Sequence, residues 1–178
     1  KALQKRLMDD DCYLPGRKRP IPLLSQKARL EGDGKQIEAL LDGTDRPVGK
    51  DAHAWFARKG DTAWLHLESP ADIRRIRLVF DSDLNRETLP AMEYKLNRNM
   101  FHNRLLAQEP SYPPKTLVKA YRVKGVLEDG TERVLAEVGD NHRRLARHAV
   151  SARVKAVGLE LLETWGLEEV RVFGFEVE

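Results

Sequence analysis

The stretch Ile76-Arg77-Leu78-Val79-Phe80 is the strongest indicator of how this chain folds. Its apolar side chains Ile76, Leu78 and Phe80 are spaced two residues apart, so an extended backbone places all three on one face. This alternation is typical of a β-strand with one buried face. We therefore expect a strand here, in a sheet that covers an apolar core.

The same period of two recurs on both sides of this strand. Ser69 to Asp72 predicts a turn before it, and Gly130 predicts a hairpin turn because glycine adopts a positive φ without steric cost. Residues 35–41 predict a short helix that ends at Asp42-Gly43. Further strands are predicted at Trp64-Leu65-His66-Leu67, Tyr121 to Leu127, Arg133 to Val138, Val157 to Leu162 and Val170 to Val177. Many short strands without long helices between them predict an all-β protein, an antiparallel β-sandwich or a barrel with few short helices.

The composition limits the classes of partner. Of 178 residues, 33% are charged and the formal net charge is +3, with both signs mixed along the chain, which argues against nucleic-acid binding. No window approaches the roughly 20 apolar residues that span a membrane, so we expect no membrane partner. Cys12 is the only cysteine, which excludes an intrachain disulfide framework and a cysteine-cluster metal site.

Motifs for catalysis and for nucleotide binding are absent from the sequence. The five histidines form neither an HxH nor an HExxH pattern, and no GxSxG motif is present. Because GxGxxG and Walker-type loops are also missing, we expect no dinucleotide cofactor within this chain and no catalytic residues.

Two regions depart from the strand pattern. Residues 1–22 carry too little apolar material to fold alone, and we interpret them as a connector from a preceding domain, with 23–178 as the β-sandwich domain. Residues 81–116 have no firm period, and a loop of that length is usually functional or contains a small element of its own.

Several polar residues are candidates for binding. The first group, Asp81, Asp83 and Asn85, follows a strand and offers either calcium ligands or turn caps, of which turn caps are favoured. A second possible calcium site combines Asp42 and Asp45, with a helix cap at Gly43 as the alternative. The aromatic residues of interest are Trp55, Phe56, Trp64 and Trp165, which stack on sugar rings if exposed and otherwise pack in the core or at its rim.

The order of motifs along the chain resembles the galactose-binding-like, discoidin-type jelly rolls. Leu41-Asp42-Gly43, Trp55, Trp64 to Leu67 and Ile73 to Phe80 are similar to the front half of that family. Ala156 to Leu161, followed by Thr164-Trp165-Gly166 and Glu169 to Phe173, is similar to its last two strands. The resemblance covers about residues 23–178 and implies a jelly-roll β-sandwich with recognition loops at 42–56, 81–86 and 140–148. The candidate polar contacts combine hydrogen-bond donors and acceptors, and they are Asp81, Asp83, Asn85, Asn141, His142 and Arg143.

A narrower likeness concerns bacterial FAD-dependent oxidoreductases, in which a flavin domain precedes a jelly roll. It is carried by residues 77–86, 117–121 and 141–145, while Asp10 to Gly16 resembles the junction between the two domains. The resemblance implies FAD in the preceding domain, that domain as a partner, and an extracytoplasmic location. The leading hypothesis is a non-catalytic accessory domain that docks on its flavin-dependent parent, through a patch near 84–112, or binds a glycan. The alternatives are a free-standing carbohydrate-binding module and an enzyme with an unrecognised site.

Overall fold

The computed structural model describes residues 18–83 and 113–178, which are organised almost wholly as β-strands. One α-helical turn and one 3-10 helix, Ile37–Leu41, lie near the start of the described chain. The helical turn and the strands are α1 (Leu23–Gln26), β1 (Arg29–Gly32), β2 (Trp55–Arg58), β3 (Thr62–Phe80), β4 (Val118–Leu127), β5 (Glu132–Val138), β6 (Leu145–Thr164) and β7 (Glu169–Val177).

Two long strands, β3 and β6, build both layers of the sandwich. They pair antiparallel from Thr62 with Glu160 to His66 with Ala156, and again from Ala71 with Val154 to Val79 with Leu145. The first half of β3 also pairs with β1, whereas its last residues pair with β7. Layer A therefore has the order β5-β4-β6-β3-β1, and layer B has the order β2-β7-β3-β6.

The two halves of β6 fold back on each other. The indole N–H of Trp165, just after β6, donates to the carbonyl of Asn141, which precedes β6, at 2.8 Å. Across the core, the ring of Phe80 in layer B lies 4.9 Å from the ring of Tyr121 in layer A. Both ends of β3 and of β6 consequently lie at one end of the sandwich, which we call the loop end; it comprises residues 59–61, 81–83, 113–117, 139–144 and 165–168.

The core lies between the layers and is filled by the side chains that the alternation predicted. Ile76, Leu78 and Phe80 are each 0% exposed. The outer side of layer B is also covered, since Ala54, Val79 and Phe173 form a second buried cluster there. At about 25 cal/mol per Å² of apolar area removed from water, burial of these aromatic and branched side chains is the main stabilising contribution.

The fold class predicted from the sequence, an antiparallel all-β sandwich with few short helices, is confirmed. The hairpin at Gly130 is also confirmed, since its φ is 90° between β4 and β5. The predicted turn at Ser69 to Asp72 is wrong: β3 continues through it, and a register shift between His66 and Ala71 absorbs the bend. The helix predicted over 35–41 is a shorter 3-10 helix. Across the described ranges, no helix is long and apolar enough to cross a membrane.

Candidate functional site

The loop end gathers segments that are far apart in the sequence. The backbone N–H of Asn141 donates to the carbonyl of Lys119 at 2.8 Å, and that of Trp165 donates to the carbonyl of Leu117 at 3.1 Å. The segments 139–144 and 165–168 are thus fixed on either side of the start of β4. Side chains on connecting loops of a rigid sandwich are common sites of recognition.

Asn141 holds this arrangement together. Its side chain is buried, and its amide nitrogen donates to the carbonyls of Val118 and Arg143 at 2.9 and 3.1 Å. Its amide oxygen accepts from the backbone N–H of Arg143 at 3.0 Å. Because its backbone carbonyl also accepts from Trp165, Asn141 fixes both the loop and the orientation of the indole ring.

An aromatic patch lies beside Asn141, and we call it the Trp165 patch: Trp165, His142, Lys119 and Asp140. The His142 ring is 4.9 Å from the Trp165 ring at an angle of 54°, and the His142 side chain is 55% exposed. The Lys119 ammonium lies 5.4 Å from the centre of the Trp165 ring. His142 Nε2 is 3.2 Å from a carboxylate oxygen of Asp140. The patch thus combines aromatic surface with exposed donors and acceptors, a combination suited to hydroxyl-rich ligands.

The acidic group after β3 makes internal contacts. Asp81 is 3% exposed, and its Oδ2 accepts from Arg171 Nε at 2.7 Å. Its other oxygen accepts from the backbone N–H of Asp83 at 2.8 Å, which is the turn chemistry that the sequence favoured. Asp83 has a positive φ of 58° and is half-buried. Asn85 lies outside the described residues. The role of these residues as ligands stays a prediction.

The predicted calcium residues also have partners. Both carboxylate oxygens of Asp45 accept from Arg77, at 3.2 and 2.7 Å. Asp42 accepts from the backbone N–H of Thr44 at 2.6 Å and lies 2.6 Å from His53 Nδ1. Within residues 18–83 and 113–178, no group of three or more acidic, histidine or cysteine side chains is placed to hold a metal ion. Calcium at Asp42 and Asp45 stays a prediction.

Asp45 belongs to a buried charged cluster on the outer side of layer B. Glu176 is 2% exposed and forms an ion pair with Arg19, whose Nη1 donates to Glu176 Oε2 at 2.8 Å. Arg77 Nη1 lies 3.7 Å from Glu176 Oε1 as well as pairing with Asp45. Burial raises the pKa of Glu176, against the opposing effect of Arg19 and Arg77. Since each charge is matched by an opposite one, this cluster serves the framework and holds segment 42–46 against the sheet.

A shallow cavity of about 310 Å³ opens at another corner of the loop end. Phe56 contributes apolar surface to it, and Arg58 and Glu169 lie 3.9 Å apart as an ion pair on its wall. Gly34 contributes to the same wall with a φ of 80°, where an added Cβ would lie 2.3 Å from the carbonyl oxygen of Phe56. The backbone at this position therefore requires a glycine.

Comparison with known proteins supports the fold described above. No protein-family model and no curated protein matches the chain. Solved structures do match. The chain is similar to the family 32 carbohydrate-binding module of EndoD from Streptococcus pneumoniae, with a TM-score of 0.62 and 12% identity over 87% of this chain and 97% of that chain. The fold is that of a galactose-binding-like jelly roll.

Two further structures support the same architecture. A chitosan-binding module from a chitosanase/glucanase of Paenibacillus sp. IK-5 matches with a TM-score of 0.57, 10% identity, and coverage of 87% of this chain and 97% of that chain. The family 32 module of NanJ from C. perfringens, solved with galactose, matches with a TM-score of 0.56, 8% identity, and coverage of 87% and 96%. The predicted resemblance to galactose-binding-like jelly rolls is therefore confirmed at the level of the fold.

The sequence points to two members of the Trp165 patch, His142 and Trp165, but not to Lys119 or Asp140. The sequence makes His142 a candidate because it offers donors and acceptors in a predicted loop. It leaves Trp165 open between stacking on a sugar ring and packing at a strand end. The Thr164-Trp165-Gly166 motif marks the end of a strand but does not show what the indole ring contacts. Its neighbours Asn141 and Lys119 are 24 or more residues away and become adjacent only when β6 folds back.

Proposed function

We propose that this domain is a non-catalytic glycan-binding module and that the Trp165 patch is its ligand site. The observation that carries the proposal is an indole ring beside a half-exposed imidazole at the loop end, with its orientation fixed by Asn141. Support also comes from the fold, which is shared with a chitosan-binding module and with a family 32 module solved in complex with galactose.

Each member of the patch has a task in sugar binding. The aliphatic C–H face of a pyranose packs on the electron-rich face of Trp165, and His142 adds a second ring beside it. The Lys119 ammonium, which is paired with Glu163 at 3.0 Å, can donate a hydrogen bond to a sugar hydroxyl. The Asp140 carboxylate, which is 71% exposed, can accept one. Arg143 is exposed next to His142 and adds further donors.

The Trp165 ring is ordered before the ligand arrives, because its indole N–H is already bonded to Asn141. This order reduces the entropic cost of binding.

Calorimetric titration against neutral, acidic and amino-sugar oligosaccharides tests this proposal. We expect micromolar to millimolar binding of at least one glycan, and Trp165→Ala and His142→Ala are each expected to weaken it about tenfold or more. Arg58→Ala is the control, because Arg58 is an exposed charged residue that borders the loop end outside the patch.

Circular dichroism would verify that each variant retains its β structure. The proposal fails if no glycan in the panel gives a binding isotherm. It also fails if folded His142→Ala and Trp165→Ala proteins bind as the parent does.

We further propose that this glycan-binding module is an accessory domain of a flavin-dependent oxidoreductase. Its support is the likeness of residues 77–86, 117–121 and 141–145 to the tail of such enzymes. In this context FAD is held by a preceding domain, the present domain docks on that domain, and both function outside the cytoplasm. A free-standing glycan-binding module fits the fold equally well. A pull-down with a separately expressed flavin domain distinguishes the two, because only the accessory role requires association.

A further inference from the structure

A second aromatic surface lies on the outer side of layer A, away from the loop end. Ala63 and Leu65 point into the core and are 0% exposed, so Trp64 and His66 point outward from the same strand. Trp64 is half-buried. The Trp165 patch makes no use of this surface.

The Trp64 ring lies flat on the sheet, over Gly158 of the neighbouring strand β6. A Cβ added at Gly158 would lie 2.7, 2.7 and 2.8 Å from three ring atoms of Trp64, Cε3, Cζ3 and Cδ2. Nearly equal distances to three bonded ring atoms mean that this Cβ would stand above the face of the ring and not at its edge. One face of the indole therefore covers Gly158, and the opposite face is directed away from the sheet.

His66 extends this flat surface along the strand. Its ring centre is 6.4 Å from that of Trp64, and the two planes differ by only 30°. The surface is therefore longer than a single aromatic ring. Such a flat apolar area matches the C–H face of a pyranose, since aromatic faces carry partial negative charge and C–H groups partial positive charge.

Polar groups flank the two rings on both sides. On the β1 side, Glu31 is paired in register with Trp64 and lies 3.5 Å from His66 Nε2. On the β4 side, Lys124 is paired in register with Gly158, and its ammonium lies 2.9 Å from Glu160. Carboxylates and an ammonium at the edges of an aromatic surface offer acceptors and donors for ring hydroxyls.

The charges around these rings compensate one another. Arg29 pairs with Glu31 at 2.8 Å, Lys124 with Glu160 at 2.9 Å, and Arg122 with Glu137 at 2.8 Å. A ligand with a net charge would have to disturb these pairs, whereas a neutral ligand uses their remaining hydrogen-bonding capacity. The electrostatics therefore favour an uncharged sugar.

We propose that Trp64 and His66, flanked by Glu31 and Lys124, form a second glycan-binding surface for neutral hexopyranose chains. We call it the Trp64 face. The class of ligand in this inference rests on the proposed function, whereas the site consists of other residues. Two sites on one rigid domain would let it bind a polysaccharide with an avidity that neither site gives alone.

The three tryptophans of the chain allow a direct test by NMR of the indole N–H groups. Trp55 is 0% exposed and donates to the carbonyl of Asp33, so its signal is an internal reference. Trp64 and Trp165 report the two sites, and Trp→Phe variants assign the signals. The probes are cello-oligosaccharides, N-acetylglucosamine oligomers, galactose and oligogalacturonate.

We expect a neutral oligosaccharide to move the Trp64 signal, and Trp64→Ala to weaken its binding about fivefold or more. Gly158→Ala retains Trp64 but displaces its ring, so it should weaken binding to a similar extent. Val134→Ala, at an exposed position on the outer strand of the same layer, is the control and should bind normally.

The outcomes separate the two proposals. If sugars move the Trp165 signal and never the Trp64 signal, the Trp64 face is overturned and the proposed function stands. If only Trp64 responds, the assignment of the ligand site to the Trp165 patch is overturned. Movement of Trp64 by oligogalacturonate alone overturns the neutral ligand class, and no response at either ring overturns both proposals.

Discussion

At the scale of single residues, Tyr121 and His148 form a partly buried pair whose protonation is set by their surroundings. The Tyr121 hydroxyl lies 3.0 Å from His148 Nε2, and burial raises the pKa of Tyr121 to about 12. The phenol thus stays protonated, and its hydroxyl donates to Nε2 or accepts from it according to the tautomer of His148. Burial also lowers the pKa of His148 below 6.5, its ordinary value.

This pair predicts a loss of stability in mild acid. Between the folded and unfolded pKa values of His148, the unfolded chain binds more protons, so the free energy of unfolding falls as pH drops below about 6.5. Urea unfolding from about pH 8 to about pH 5 measures the effect. His148→Asn removes the titrating group, and its stability should fall less steeply over the same interval. Parallel pH profiles for the two proteins would contradict the assignment.

Other residues show why local sequence left their roles open. The sequence makes Asp81 and Asn141 candidates for ligand contacts, because polar residues at strand ends serve either turns or ligands. In the structure, Asp81 pairs with Arg171 and Asn141 bonds to Val118, partners 90 and 23 residues away. A pattern read over a few neighbouring residues contains no information about such partners.

At the scale of elements, the β4–β5 hairpin is specified locally. Gly130 has a φ of 90°, and the Asp129 carboxylate accepts from the backbone N–H of Thr131 at 2.8 Å. That hydrogen bond is the main reason that the pKa of Asp129 is lowered. Because both features depend on adjacent residues, the turn was predictable from Asp129-Gly130 alone.

Gly130→Ala is expected to lower the free energy of unfolding by about 1–2 kcal/mol, since a side chain at positive φ is strained. Gly139→Ala is the matched control: an added Cβ there has no atom within 4 Å, and its effect should stay within about 0.5 kcal/mol. Denaturant titration of the three proteins gives both differences. Equal stabilities for Gly130→Ala and the parent would show that the turn relaxes without strain.

The long strand β3 shows where element prediction failed. Ser69-Pro70 is a turn signal by composition, yet β3 continues from Thr62 to Phe80. The strand changes layers at this point, so it needs a bend but not a chain reversal, and the register shift between His66 and Ala71 provides it. Proline is tolerated in a strand where a ladder hydrogen bond is interrupted.

At the scale of the whole molecule, the described segment before α1 is joined to the sandwich. Besides its ion pair with Glu176, Arg19 donates its backbone N–H to the carbonyl of Gly43 at 2.8 Å. The boundary at residue 23 inferred from the sequence stays a prediction, but it would separate Arg19 from two buried carboxylates, those of Glu176 and Asp45.

A chain that begins at residue 18 is therefore expected to be more stable than one that begins at residue 23. Without Arg19, the negative charge of the buried Glu176 is less well compensated. Removing one partner of a buried ion pair typically lowers the free energy of unfolding by about 3–5 kcal/mol. Arg19→Ala in the longer chain should reproduce most of the loss, and denaturant unfolding measures it. If both chain lengths unfold at the same denaturant concentration, Arg19 does not contribute to stability.

The sequence alone determined the fold class, the hairpin at Gly130 and most strands, because alternation with a period of two and turn chemistry act between near neighbours. The tertiary structure decided that β3 and β6 serve both layers, that Asp45 pairs with Arg77, and that Trp165 meets His142 while Trp64 lies flat on Gly158. Those contacts depend on the pairing register of strands tens of residues apart. Packing of the complete sandwich sets that register, and no single stretch of sequence contains it.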